Sequence, residues 1–520
     1  RWFVTGNPVY LQYVLSFLRF AKKVDYVDED LYSTAFHKWD GIEQKLGSLE
    51  LPELVLSRLG RIVHCFLDGR DREYPFMGKH GPGHTAGGAN DLWSKAHALN
   101  YDPGIDLVFF PGHGSPRGDS HNSHAVIPDD VSWESASHTS KKSRCGNISE
   151  LLFVPKDVGT ARTICKESPT FMYFQQSYWF YLQETLRSSP FGQWIHFHDQ
   201  TLNQEACLYG SYTGNMDSID LSSASDSVSA KLVRAIFPRD ILTKLLATRS
   251  SKVRLPDGSI RDVHKFAPMG SALCFPIQSI IFTTVVVLAS MCAVHEATGV
   301  SLDDLLSNPR QFVKRFFGYR GIKADYPRTV KFEPPVVYGD DIVCDSRVTP
   351  FVIQLLTDLG FIVNVSKSFT DSDAFRESCG KYYWNGHDVS PLYFRVAYFD
   401  KCMEARTLVS GVEACNRAGD YHYFNLKRVI YQIIRWTRVQ RGEGSYPLPN
   451  QILFSSDRNI FAITHPEPRN SLLKDRINPD LQRGEVRSLG IAARNMKPRS
   501  SWVYERQRYI LWWRAAVLRG

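Results

Sequence analysis

The stretch VVYGDDIVCD (336–345) constrains the fold more than any other. Val336, Val337 and Tyr338 on one side and Ile342, Val343 and Cys344 on the other have strand composition, and Gly339 with Asp340 suits a two-residue turn that needs positive φ. The pattern predicts a hairpin with buried flanks and two acids, Asp340 and Asp341, at its tip. Adjacent carboxylates repel, and removing them from water is costly unless something positive compensates. A hard divalent ion such as Mg²⁺ is one compensation, because it takes carboxylate oxygens and keeps positions open for water and phosphate. A solvated turn is the alternative, since Asp and Gly are ordinary turn residues. The tripeptide alone does not decide between them.

A third acid lies upstream, in SIDLSSASDSVS (218–229), where Asp220 follows a short apolar lead and Asp226 comes six positions later, after a Ser-rich turn. A helix start would use the same serines as caps. A nucleotidyl-transfer site, however, needs a carboxylate from a second strand so that two metal ions about 4 Å apart can be bridged. Asp220 at a strand end meets that need. KVRLPDGSIRDVHKF (252–266) reads as a second hairpin turning at Asp257 and Gly258, and APMGSALCFPIQS (267–279) as a Gly-containing loop leading into a helix. After the acidic hairpin, FVIQLLTDLGFIVNVSKSF (351–369) predicts a helix, a stop at Gly360 and a strand carrying Lys367. The order strand, helix, hairpin, helix, strand predicts an α+β fold with an antiparallel sheet backed by helices.

At 520 residues the chain is too long for one simple core and suggests two or three subdomains. An apolar content of 43% and a charged content of 22% suit a soluble globular protein. Ten cysteines without a CxxC pair or Cys/His ligand spacing indicate neither a zinc site nor a disulfide framework, and fit a reducing, cytosolic setting. No signal peptide pattern opens the chain, and it starts at Arg1 rather than Met, so the natural start is unread. The segment Ser271–Val294 carries no charge and is long enough to span a bilayer, yet Pro276, Gln278, Ser279, Thr283, Thr284 and Ser290 interrupt it and no basic flank frames it. It reads as a helix buried in protein, with no membrane partner.

Residues 481–520 hold nine Arg or Lys against Glu485 and Glu505, so this tail carries +7 of the net charge of +8. Trp502, Tyr504, Tyr509, Trp512 and Trp513 interleave with the charges, as suits a surface that holds phosphates and stacks on bases; a solvated amphipathic tail has the same composition. In LKRVIYQIIRWTRVQR (426–441) a helical reading groups Ile430, Ile433, Ile434 and Thr437, with Lys427, Arg428, Arg435, Arg438 and Arg441 around them. His196 and His198 alternate on an extended stretch with no third ligand nearby, which favours a structural or template role over metal.

Taken in order, these stretches resemble the palm motifs of viral RNA-dependent RNA polymerases, and specifically the replicase catalytic subunit of the single-stranded RNA bacteriophages, the leviviruses. IDLSSASDSVS resembles motif A, MGSALCFPIQS motif B, YGDDIVC motif C and LGFIVNVSKSF motif D. FRESCGKYYWNGHDVSPLY (375–393) resembles the phage version closely, VPKDVGTARTICKESP (154–169) the basic fingers motif F, and HGPGHTA (80–86) a phage-type fingers segment. The resemblance spans roughly residues 80–393.

It implies a right-hand polymerase, with fingers in residues 1–200, a palm in 201–395 into which the 252–266 hairpin is inserted, and a mostly helical thumb with a basic C-terminal region in 396–520. It implies that Asp220, Asp340 and Asp341 hold two Mg²⁺ ions, with Mn²⁺ a substitute, and that Lys367 protonates the leaving pyrophosphate. Lys156, Arg162 and Lys166 would grip the incoming triphosphate. Asp226 would sense the ribose 2′-hydroxyl, with Gly270 and Ser271 in the adjoining loop and Gln278 able to donate to Asp226. Many such polymerases carry Ser, Thr and Asn where this chain has Met269, Cys274 and Gln278. The implied partners are an RNA template, the product duplex, ribonucleoside triphosphates and host translation factors, in the cytoplasm of a bacterial host. A reverse transcriptase shares the palm and the YxDD turn, although Asp226 and FRESCGKYYW argue against it. A non-catalytic basic RNA-binding protein is the rival from another class.

Overall fold

The computed structural model describes residues 6–23, 29–67, 78–99, 102–109, 148–157, 159–187, 189–317, 331–370, 374–393, 402–403, 405–436, 438–441, 444–447, 454–455, 463–464, 474–478 and 483–487. Along the chain run helices α1 (Pro8–Arg19), α2 (Glu29–Ser48) and α3 (Glu53–Leu67), strands β1 (Ile148–Asp157) and β2 (Thr160–Lys166), and helices α4 (Pro169–Arg187) and α5 (Thr201–Thr213). Strand β3 (Met216–Ile219), the short α6 (Ala224–Ser227), strands β4 (Lys252–Arg254) and β5 (Ile260–Asp262) and the long α7 (Cys274–Thr298) follow. Then come β6 (Val336–Tyr338), β7 (Asp341–Asp345), α8 (Thr349–Asp358), β8 (Phe375–Ser378), β9 (Lys381–Trp384) and β10 (His387–Asp388). Helices α9 (Ala405–Asp420) and α10 (Phe424–Trp436) and strands β11 (Arg438–Arg441) and β12 (Gly444–Pro447) come next. The fold is α+β, as the element order predicts. The chain forms two compact units, one from residues 1–33, 154–162 and 389–497, the other from 34–153, 163–388 and 498–520.

In the larger unit the acidic hairpin forms as read from the sequence. β6 and β7 pair antiparallel up to Tyr338↔Asp341, and β3 adds on the far side of β7 to give the order β3-β7-β6. Side chains alternate between faces along each strand. Ile219, Val337 and Ile342 join the main core with α3, α4, α7 and α8, while Met216, Val336 and Val343 pack with Ala206, Cys207 and Tyr383. Both faces are therefore covered, which explains the continuous apolar runs beside the acids.

α7 is apolar all round and lies almost wholly in that core, as a helix without a polar face must. Its hydroxyls do not disturb the burial, because Ser279, Thr283, Thr284 and Ser290 each donate to the carbonyl four residues back, at 2.7–2.8 Å. Pro276 sits in the first turn, where its missing N–H leaves no helix bond unmade. The 252–266 hairpin also forms, turning through Gly258, but it extends the sheet of the basic strands, in the order β2-β1-β4-β5.

Two expectations fail locally. Residues 361–369 do not make a strand carrying Lys367; they form isolated bridges at Val363 with Leu221 and at Phe369 with Ser218 of β3, with Lys367 in the turn between. Asn364 accepts from the backbone of Lys367 and Ser368 and so closes that turn. The predicted helix over 426–441 stops at Trp436, and Arg438–Arg441 pairs instead with Gly444–Pro447. Glycines at 442 and 444 favour that hairpin over another helical turn. Ile430 and Ile434 are buried against α9, in agreement with the apolar face, whereas Thr437 lies outside the described residues. Beyond α10 the described elements are short strands. The interleaved aromatic and basic residues from 488 to 520 lie outside the described residues.

Arg376 of β8 is fully buried, donates to the Met216 carbonyl at 2.6 Å and pairs with Asp217 at 2.9 Å. It fastens the β8–β9–β10 sheet to β3. Replacing Arg376 with Met strands a buried carboxylate and is expected to destabilise the protein by about 3–5 kcal/mol, whereas adding Asp217→Asn restores much of the loss. Urea unfolding of the single and double variants measures both effects.

Candidate active site

The pairing of β3 with β7 runs from Met216↔Asp345 to Ile219↔Ile342. Continuing this register by one step would set Asp220 opposite Asp341, and the Asp220 charge does act on the Asp341 carboxyl. Directly opposed residues of an antiparallel pair project from the same face with their Cα atoms about 5 Å apart. Asp340 occupies the adjoining turn and is exposed. Three acids separated by some 120 residues thus meet at one end of one sheet.

The turn itself is clamped. Gly339 has φ of 65°, and a Cβ there would lie 2.5 Å from the Phe275 ring and 2.9 Å from Gln278 Nε2. Its N–H donates to Ser279 Oγ at 3.2 Å. Only glycine fits between the acidic tip and the first turns of α7. From the other side the fully buried Asn203 donates to the Asp341 carbonyl at 3.1 Å.

Burial, with Asp340 and then Asp220 adding repulsion, pushes the Asp341 carboxyl up to about 7, against hydrogen bonds from Cys379 that pull it down. The Cys379 thiol lies 3.6 Å from Asp341 Oδ2. Asp220 is held differently. Its Oδ2 accepts from Asn364 Nδ2 at 2.8 Å and lies 3.8 Å from Lys367 Nζ, while its carbonyl accepts from the Asn364 N–H at 2.9 Å. Among the described residues no three His, Cys, Asp or Glu side chains are already gathered into a metal cluster. The three acids share an edge and a field, with two of the carboxylates turned onto neighbouring donors.

The remaining sequence-predicted residues fall into three places. Lys156 and Arg162 are exposed on β1 and β2. Lys166, at the end of β2, lines a cavity of about 460 Å³ together with Gly270 and the 81–85 segment. Gly270 has φ of 118°, and a Cβ there would lie 2.2 Å from the Cys165 carbonyl oxygen; Cys165 N–H in turn donates to the Met269 carbonyl at 2.8 Å. Close approach of β2, rather than flexibility alone, demands this glycine. The Ser271 hydroxyl is turned inward, donating to Gln175 Oε1 at 3.1 Å.

Asp226 is bound by Lys265 at 3.0 Å and by the Thr163 hydroxyl at 3.4 Å, and Gln278 makes no hydrogen bond to it. The Gln278 Oε1 is a buried acceptor without a partner among the described residues. His196 and His198 bond the Gln193 carbonyl and Gln183 respectively, which accords with a structural role. Sequence reasoning missed Asn203, Lys265, Asn364 and Cys379. Lys265 alone gave a hint, as a lone cation directly before the apolar lead of the 267–279 loop.

The family model for "RNA replicase, beta-chain" matches residues 128–307 and 334–404, which contain all three acids. Over these residues the chain is similar to the RNA replicase beta chains. It is 34% identical over 243 residues to the RNA-directed RNA polymerase subunit beta of Escherichia virus Qbeta, a match covering 46% of this chain and 34% of that protein. It is 32% identical over 242 residues to the RNA-directed RNA polymerase beta chain of Escherichia phage MS2, covering 46% of this chain and 37% of the relative. The chain thus spans little more than a third of the length of these replicase beta chains. Among solved structures, the RNA-dependent RNA polymerase from bacteriophage phi12 aligns with a TM-score of 0.40 at 11% identity, over 76% of this chain and 66% of that one.

The raised Asp341 sets a pH dependence for this chain when no divalent ion is present. A carboxyl near 7 in the folded state and near 3.8 when unfolded binds more protons folded, so its contribution to stability declines as pH rises from about 4 to about 7 and stays low above that. Asp341→Asn removes the penalty. In chelator at pH 8 the variant is expected to be about 2 kcal/mol more stable than the parent, with no gain at pH 4, as read by thermal or urea unfolding.

Proposed function

We propose that this chain carries out template-directed RNA synthesis from ribonucleoside triphosphates in phage genome replication, by a two-metal nucleotidyl transfer. The observation that carries the reading is the juxtaposition of Asp220 with Asp340 and Asp341 at one end of a fully covered sheet, in a chain similar to the replicase beta chains. The residues fit Mg²⁺: three carboxylates supply hard oxygen donors, and Asp341, pushed up first by burial and then by its acidic neighbours, is a carboxyl that a cation would ionise. Two such ions, or Mn²⁺ in their place, would activate the primer 3′-hydroxyl and neutralise the triphosphate when bound.

The chain's own residues then divide the work. The 3′-oxygen attacks the α-phosphorus, a new P–O bond forms and the bond to the β-phosphate breaks, releasing pyrophosphate. Asn364 holds Asp220 Oδ2 and so leaves Oδ1 for ligation. Lys367, within 3.8 Å of Asp220, holds a proton that can pass to the departing pyrophosphate. Lys156, Arg162 and Lys166 present cations from the basic strands for the triphosphate. Gly270 shapes the adjoining loop, with Ser271 fixing it from within, and Gln278 offers its unpartnered oxygen beside the turn. Asp226 reads the sugar.

In this reading residues 1–200 are fingers, 201–395 palm and 396–520 thumb. The partners are an RNA template and product duplex, gripped through the backbone, in the cytoplasm of a bacterial host. Host translation factors join as subunits on the strength of the family resemblance.

Purified chain, a short primed RNA template, labelled ribonucleoside triphosphates and Mg²⁺ provide the test, with deoxynucleotides as a parallel arm. Asp340→Asn is expected to lower the rate at least 100-fold, and EDTA to abolish synthesis. Product from Asp340→Asn at the parent's rate overturns the role of that acid. Deoxynucleotides used in preference to ribonucleotides would instead assign a reverse transcriptase.

A further inference from the structure

Behind Asp226 lie two buried charged side chains, Lys265 and Glu43, to which the scheme above gives no role. Lys265 has no exposed side-chain surface; its Nζ lies 3.0 Å from Asp226 Oδ1 and 3.2 Å from Glu43 Oε1, and 4.7 Å over the Trp39 ring. Glu43 is fixed as well, since its Oε2 accepts from the His264 N–H at 2.6 Å. The three side chains are 0%, 7% and 13% exposed for Lys265, Glu43 and Asp226, so only Asp226 still meets solvent. As a stability device such a group is poor, because well-packed apolar side chains would serve as well.

Its geometry, however, defines one open acceptor. Asp226 Oδ1 is committed to Lys265, and among the described residues Oδ2 receives only the 3.4 Å contact from Thr163. Thr163 lies on β2, three residues before Lys166, and the 264–266 segment pairs with 228–230, just past α6, before leading into the loop of Gly270. The carboxylate is thus anchored at one oxygen and presented by the other, among segments that also carry two candidate nucleotide-binding residues. A sugar hydroxyl needs such an acceptor, and a fixed one distinguishes ribose from deoxyribose better than a mobile one.

Resting on the polymerase reading above, we propose that Lys265 and Glu43 are positioning residues for ribose selection. Lys265 keeps Asp226 oriented so that Oδ2 accepts from the 2′-hydroxyl of the incoming nucleotide. Glu43 holds the Lys265 ammonium in place and prevents it from following Asp226 into the site. Neither touches the reacting atoms.

The test is single-nucleotide incorporation by the full chain on a primed RNA template, comparing kcat/KM for a ribonucleotide and its 2′-deoxy counterpart. Glu43→Gln, which preserves shape, is expected to reduce the ribose preference about tenfold, with the loss in KM for the ribonucleotide more than in kcat. Lys265→Met combined with Glu43→Gln, which avoids leaving Glu43 as a stranded charge, is expected to reduce it further. A preference within twofold of the parent's in Glu43→Gln, with kcat falling equally for both nucleotides, assigns Lys265 and Glu43 a purely structural role and overturns the proposal. Absence of any synthesis by the parent overturns the polymerase reading itself and the proposal with it, so the two failures are told apart by the parent alone.

Discussion

Like-charge repulsion at the end of a sheet sealed on both faces governs this structure. Asp220, Asp340 and Asp341 cannot retreat into the core, because Ile219, Val337 and Ile342 fill one side and Met216, Val336 and Val343 the other. Nor can they drift apart, because β3, β7 and β6 are locked in register. The fold relieves the strain with donors from later in the chain. Asn364 and Lys367 attend Asp220, and Cys379 attends Asp341.

The surrounding architecture follows from that arrangement. Arg376 spans from β8 to Asp217 and the Met216 carbonyl, so the segment supplying Cys379 is tied to the strand that ends at Asp220. Asn203 reaches from α5 to the backbone of Asp341. Gly339 lets the first turns of α7 close over the tip, and Gly270 lets β2 approach the loop before α7. Backbone contacts at two glycines thus bring the basic strand and the acidic turn onto the same helix.

Much of this was legible in the sequence because it is local. The Gly-Asp turn, the hairpin at Asp257–Gly258 and the uncharged α7 each announce themselves within a dozen residues by turn chemistry or composition. What escaped was non-local or competitive. Asn364 looks like any loop residue until its partner 144 positions away is known. Glu43 and Lys265 are separated by more than 200 residues and carry no shared pattern. Lys367 was misplaced on a strand because β-branched neighbours suggested one, whereas Asn364 turns the backbone there. The end of α10 was missed because a helical face of isoleucines continues into a hairpin whose glycines outweigh it.

The charge-free α7 also bears on how the chain is made. A 25-residue helix of this hydropathy passes as a bilayer span by length and composition. Its partners in the core include Leu59, Ile62, Val63 and Phe66 of α3 and Phe174, Tyr178 and Leu182 of α4, all of which precede it. Those surfaces are made before α7, whereas β6, β7 and α8 follow it. Vectorial synthesis therefore lets the apolar segment meet those surfaces first, with the acidic hairpin and then α8 docking onto it afterwards.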